Sequence, residues 1–231
     1  FQTNRAYRSH ELYGIDSSIT KQEFYDYKYD TYYSDESAMK YALDRFLNDI
    51  NTNDKELLKG IEVLENWDLG NNRNNRGAAL ALLTFELTFD KNKYIYNYEE
   101  NYDRFKESVK FLIKEFGRID IQLGDFLKLK RGDELYPLDG GEDLLRAIYS
   151  KAEGNKRIAI GGDCFFQFVE WDKYGKLSAE SIHQFGSSAI DKNSKHYGDQ
   201  SSMFAKMKMK QSYIDLDSIK IVSKKVFTGT P

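Results

Sequence analysis

The segment Gly77-Ala-Ala-Leu-Ala-Leu-Leu83 is apolar on every side. A helix without a polar face has to be surrounded by other elements, so this one is expected at the centre of a helical layer. Partners with one apolar stripe each flank it. Ala38, Tyr41, Ala42, Phe46 and Leu47 recur at helical spacing, as do Leu57, Leu58, Ile61, Leu64 and Trp67 after the polar stop Asn51-Thr-Asn-Asp54. Phe105, Val109, Leu112, Ile113 and Phe116 form a further stripe, closed by Gly117, which can supply a left-handed C-terminal cap. Upstream, Thr20-Lys-Gln-Glu23 has the spacing of a capping box, so a helix is expected to start there. Asn71-Asn-Arg-Asn-Asn75 is a turn-rich break ahead of the buried helix.

From about residue 118 the period changes. The segments 164–172 and 176–185 flank Lys173-Tyr-Gly175, a short Gly-containing loop, and predict a β-hairpin. Pairing around that loop places Cys164 opposite Gln184 and Phe165 opposite His183. Leu138-Asp-Gly-Gly-Glu142 is expected to lead into a short helix from Asp143 to Tyr149, and residues 199–225 into helices broken near Ser212. The expected fold class is therefore α+β: a mainly helical segment over 1–118, then a strand-containing segment over 119–231 with C-terminal helices.

With 231 residues, 31% of them charged and 40% hydrophobic, the chain is long enough to bury a real core. Its 34 Lys plus Arg against 37 Asp plus Glu leave a net charge of -3, which supplies no global field for nucleic acid or an anionic membrane, and neither is expected as a partner. The single cysteine, Cys164, excludes an internal disulfide and a Cys-based zinc site. No apolar run approaches the roughly 18 residues that span a bilayer, and residues 1–14 lack the apolar core of a signal peptide. Phe1, not Met, stands first, so a processed chain or a piece of a longer protein is expected.

Several residues invite chemical readings. Cys164 with His183 or His196 could form a thiol nucleophile and base, but in the expected register Cys164 and His183 fall on opposite sheet faces, and a packed cysteine is the better reading. Gly140-Gly141 ahead of a helix could cradle a phosphate, yet the Lys-Ser/Thr of a P-loop and the third glycine of a dinucleotide fingerprint are missing, which favours a plain turn. His10, His183 and His196 have no metal-ligand spacing and read as structural or surface residues. Lys206, Lys208, Lys210, Lys220, Lys224 and Lys225 give a basic C-terminal end that reads as a solvated face, as do Arg73 and Arg76 in the Asn-rich turn. Residue chemistry alone thus gives an α+β chain without a self-contained active site.

Longer strings carry a resemblance. Leu64-Glu-Asn-Trp-Asp-Leu-Gly70 followed by Arg76-Gly-Ala-Ala-Leu80 resembles a segment of the penicillin acylase family, the N-terminal-nucleophile (Ntn) amide hydrolases. Phe116-Gly-Arg-Ile-Asp120, Leu129-Lys-Arg-Gly-Asp133 and Pro137-Leu-Asp-Gly-Gly141 are similar to its strand-and-turn region. Gly162-Asp163, Val169-Glu-Trp-Asp172, Glu180-Ser-Ile-His-Gln-Phe-Gly186 and His196-Tyr-Gly-Asp-Gln200 follow in family order. The strings span nearly the whole chain, and the flavour is that of the branch with aculeacin A acylase and the acyl-homoserine lactone acylases.

The resemblance implies the C-terminal portion of an acylase β chain, with strands that join the family's αββα sandwich beneath a helical layer. The family's secreted precursors cut themselves into α and β chains, and a new N-terminal Ser attacks a linear amide with its own α-amine as base. That nucleophile, the oxyanion-hole Asn and most calcium ligands precede the aligned part, so the chain alone is expected to be inactive. One supporting position is implied within Thr3-Asn-Arg-Ala-Tyr-Arg8: Arg5, with Arg8 second, would orient side chains and stabilise negative charge near the nucleophile. The resemblance implies no cofactor in this chain and a structural calcium only in the whole enzyme. The expected partners are the upstream β-chain segment, the α chain and a small acyl-amide substrate, in the periplasm or secreted.

Overall fold

The computed structural model describes residues 2–85, 89–90, 93–94 and 96–225, of which 89–90 and 93–94 are described by backbone alone; Phe1 lies outside them. The chain divides into two compact units, Phe1–Gly162 and Asp163–Pro231. Strands predominate from Leu127 onward, and the four-stranded sheet that begins there lies in the same compact unit as the helices before it, the units dividing after Gly162.

In the first unit the helices are α1 (Asn4–Leu12), α2 (Lys21–Lys28), α3 (Ala38–Asp49), α4 (Lys55–Glu65), α5 (Ala78–Thr84), α6 (Tyr98–Phe116) and the single turn α7 (Leu123–Phe126). α2 begins with both halves of its capping box: Thr20 accepts from the Glu23 N–H, and Glu23 accepts from the Thr20 N–H. α6 ends at Gly117 with φ 74°, the left-handed cap its sequence predicts. α5 is buried at Ala78, Ala79, Leu80, Ala81 and Thr84, as an all-apolar helix requires. Beside it, Phe46 of α3 meets Phe85 at 5.6 Å and Phe105 of α6 at 5.2 Å, both edge to face. Gly60 of α4 lets Phe105 and Val109 approach so closely that a Cβ there would lie 2.8 Å from each.

Two residue pairs, β1 (Phe89–Asp90) and β2 (Lys93–Tyr94), form a minimal antiparallel ladder. A mixed four-stranded sheet follows, built from β3 (Leu127–Arg131), β4 (Glu134–Pro137), β5 (Ile148–Glu153) and β6 (Lys156–Gly162) in the order β4-β3-β6-β5. Only β3 and β6 run parallel, and β5 bulges between Tyr149 and Ser150.

The helix expected from Asp143 to Tyr149 does not form. That stretch is a set of turns entering β5, because Gly141 N–H bonds to Arg146 O and Ile148 N–H to Gly141 O, which ties the loop to itself.

The second unit is a three-stranded antiparallel sheet of β7 (Phe166–Trp171), β8 (Leu177–Ile182) and β9 (Lys210–Ser212), with α8 (Ser201–Ala205) and α9 (Leu216–Val222). Phe166 pairs with Ile182 and Trp171 with Leu177, the register that the three-residue loop fixes. The C-terminal helices are shorter than expected, and β9 replaces the helix N-terminal to Ser212.

Candidate functional site

α1 is started by Thr3, whose hydroxyl accepts the Ala6 N–H, and its first residue is its anchor. Asn4 is buried and uses its whole amide. Nδ2 donates to Asp143 O at 3.0 Å and to Tyr32 O at 3.3 Å, while Oδ1 accepts the Ser34 N–H at 2.8 Å. Its own N–H donates to Asp143 Oδ2 at 2.7 Å. These bonds fix the start of α1 against the 32–34 segment and the 143 turn.

Arg8, one turn further, forks onto Asp30 with Nε at 3.0 Å and Nη2 at 2.8 Å, and its Nη1 donates to Glu11 at 2.6 Å. The hydrogen bonds it donates to Asp30 oppose the desolvation of the guanidinium and raise its pKa above the ordinary arginine value. Burial pushes the Glu11 carboxyl up, but the Ser34 hydroxyl and Arg8 outweigh it, so Glu11 titrates below the usual range. Arg8 is thus committed to holding α1 in place. Arg5 faces outward instead: its side chain is 45% exposed, Nε lies 3.6 Å from Asp143 Oδ1, and Nη2 donates to Tyr149 Oη at 3.4 Å. Of the two arginines, only Arg5 is placed to meet another molecule.

The strings that resemble the acylases interlock in the same unit. Trp67 Nε1 donates to Gly70 O at 2.9 Å, and Asp68 Oδ1 accepts the Gly70 N–H and Asn75 Nδ2. Asn75 Oδ1 in turn accepts the N–H groups of Gly77 and Ala78, capping α5. Arg76 donates to Asp120 O at 2.9 Å, and Arg118 forks onto the Asp120 carboxylate, whose pKa that hydrogen bond lowers. Arg73 is not part of a solvated face: it binds buried Asp139 through its N–H, Nε and Nη2. An open cleft of about 710 Å³ lies among these segments, with Asp68, Asn75, Arg76, Arg118 and Asp120 in its wall.

Gly140 and Gly141 cannot cradle a phosphate, since their N–H groups are spent on Asn71 O and Arg146 O. The close approach explains the glycine: with φ 102° at Gly140, a Cβ would sit 2.3 Å from Arg146 O. In the second unit, β7 and β8 pair up to Phe166 and Ile182, two residues short of Cys164, which is exposed, not packed. No hydrogen bond joins Cys164 to a histidine among the described residues. His183 Nδ1 accepts the Phe185 N–H, and His196 Nδ1 pairs with Asp199 at 2.7 Å, while His10 is exposed on α1. Lys206, Lys208, Lys210, Lys220, Lys224 and Lys225 are exposed. Among the described residues no group of three or more His, Cys, Asp or Glu is arranged to hold a metal ion. No described helix is long and apolar enough to cross a membrane.

No protein-family model and no curated protein sequence matches the chain. Among solved structures it is similar to a thermostable penicillin G acylase from Alcaligenes faecalis, with a TM-score of 0.48 and 11% identity. That likeness covers 97% of this chain and 52% of the acylase, so the chain spans about half the length of that structure.

Proposed function

We propose that the chain is the C-terminal part of an acylase β chain of the penicillin acylase type. The complete protein would hydrolyse a linear amide through an acyl-enzyme on an N-terminal Ser outside this sequence. The observation that carries this reading is the interlock just described: segments 64–70, 76–80, 116–120 and 137–141, which resemble the family in order, are joined through Asp68, Asn75, Arg76 and the Arg73–Asp139 pair. Their role here is architectural, which suits a portion whose reaction centre is completed from elsewhere. Arg5 is the chain's own contribution to that centre, orienting neighbouring groups and stabilising developing negative charge.

On this reading the strands extend an αββα sandwich, the partners are the upstream β-chain segment and the α chain of one precursor, and any structural calcium is held by those parts. The setting is periplasmic or secreted, and the acyl group is that of the aculeacin or acyl-homoserine lactone branch. The competing reading is a binding module derived from the same scaffold, without catalysis.

Expressing the gene with all coding sequence upstream of residue 1, then assaying amine release from a panel of acyl-amides, separates the two. Self-cleavage to a new N-terminal Ser with saturable amine release is the expected result. Intact, uncleaved and inactive protein would favour the binding module, and saturable release by the 231-residue chain alone would overturn the assignment of the nucleophile to another segment.

A further inference from the structure

Asp143 is held in the left-handed region, at φ 58°, by bonds on both sides of it. Its backbone oxygen accepts from Asn4 Nδ2 and its Oδ2 from the Asn4 N–H, while the preceding carbonyl of Glu142 accepts the Tyr33 hydroxyl at 3.0 Å. Asp tolerates this conformation better than most residues, and here the surroundings over-determine it. One oxygen is left over. Asp143 Oδ1 is buried and has no hydrogen-bond partner, and it lies 3.6 Å from Arg5 Nε. A buried carboxylate oxygen without a donor is costly, so the Arg5 guanidinium beside it is drawn to that side and kept from sweeping through solvent. Tyr149 Oη limits the guanidinium from the other end.

We propose that Asp143 is the positioning residue for Arg5: one carboxylate oxygen anchors the start of α1 and the other sets the direction of the guanidinium. The catalytic consequence rests on the acylase reading, whereas the contact itself does not.

Asp143→Asn separates the two jobs. It retains a carbonyl oxygen for the Asn4 N–H and a residue at ease with positive φ, but presents an NH2 group to Arg5. In the 231-residue chain, side-chain ¹⁵N NMR should show the Arg5 Nε–Hε resonance shifting in Asp143→Asn and exchanging with water about tenfold faster, with the Asn4 amide still protected. Tyr149→Phe should move the same resonance less. An Arg5 signal unaffected by Asp143→Asn would overturn the proposal. In the protein carrying its upstream segments, Asp143→Asn should lower kcat about tenfold with KM little changed, and should add nothing to Arg5→Ala. Additive losses would also overturn it. If Arg5→Ala leaves kcat unchanged, the functional reading of Arg5 falls and the catalytic consequence with it, and the NMR result distinguishes that failure from failure of the contact.

Discussion

Asp139 and Arg73 are 66 residues apart, yet they form a buried polar contact: a carboxylate 3% exposed that takes three donors from one residue. Removing the cation leaves a buried charge unpaired. Arg73→Ala is therefore expected to destabilise the chain by about 3 kcal/mol, and Asp139→Ala by less, because Arg73 is partly in solvent. Urea titrations of both variants check the order. Steric logic governs Gly77, where a Cβ would fall 2.6 Å from the Trp67 Cβ. Gly77→Ala should cost about 2 kcal/mol despite alanine's better helix propensity, since the indole is fixed by its bond to Gly70. Acid sensitivity has an identifiable residue-level source in Glu11, whose folded-state pKa is depressed. Its contribution is complete above the unfolded value of about 4.3 and is lost as pH falls through the lower folded value. Glu11→Gln should accordingly flatten the decline in melting temperature below about pH 4.

At the scale of elements, what the sequence revealed was local. The capping box of α2 and the glycine cap of α6 each lie within a few residues, and both form as spaced. The β7–β8 register was legible for the same reason, because a three-residue loop leaves one pairing. Residues 143–149 have helical content, but the bonds from Asn4 Nδ2 to Asp143 O and from the Arg146 N–H to Asp30 O are tertiary choices that no window shows. Of the candidate site, the contacts of Arg5 were not legible: Asp143 lies 138 residues away and Tyr149 144 away, so no local pattern shows what holds it. Periodicity also overstates burial. Leu58 belongs to the α4 stripe yet is 47% exposed, whereas Leu80 of α5 is fully buried. Leu80→Ala should cost about 3 kcal/mol and Leu58→Ala under about 0.5, a contrast that thermal melts of the two variants can read directly.

For the molecule as a whole, the second unit is the more telling. Among the described strands its sheet runs β7-β8-β9, and β7 carries Val169 and Trp171 on the face shared with Leu177. Trp171 is 66% exposed, Leu216 72% and Ile221 84%, too much apolar surface for so small a sheet to leave in water without consequence. Exposed rings and aliphatic side chains of this kind attract further apolar surfaces. Sedimentation velocity on the purified 231-residue chain should then show concentration-dependent self-association. Trp171→Lys should reduce it by placing a charge in that exposed apolar face, without lowering the melting temperature, because the indole makes little use of burial within its own unit. A monodisperse, cooperatively melting monomer would argue instead for a self-sufficient protein, and for the binding module over the acylase part.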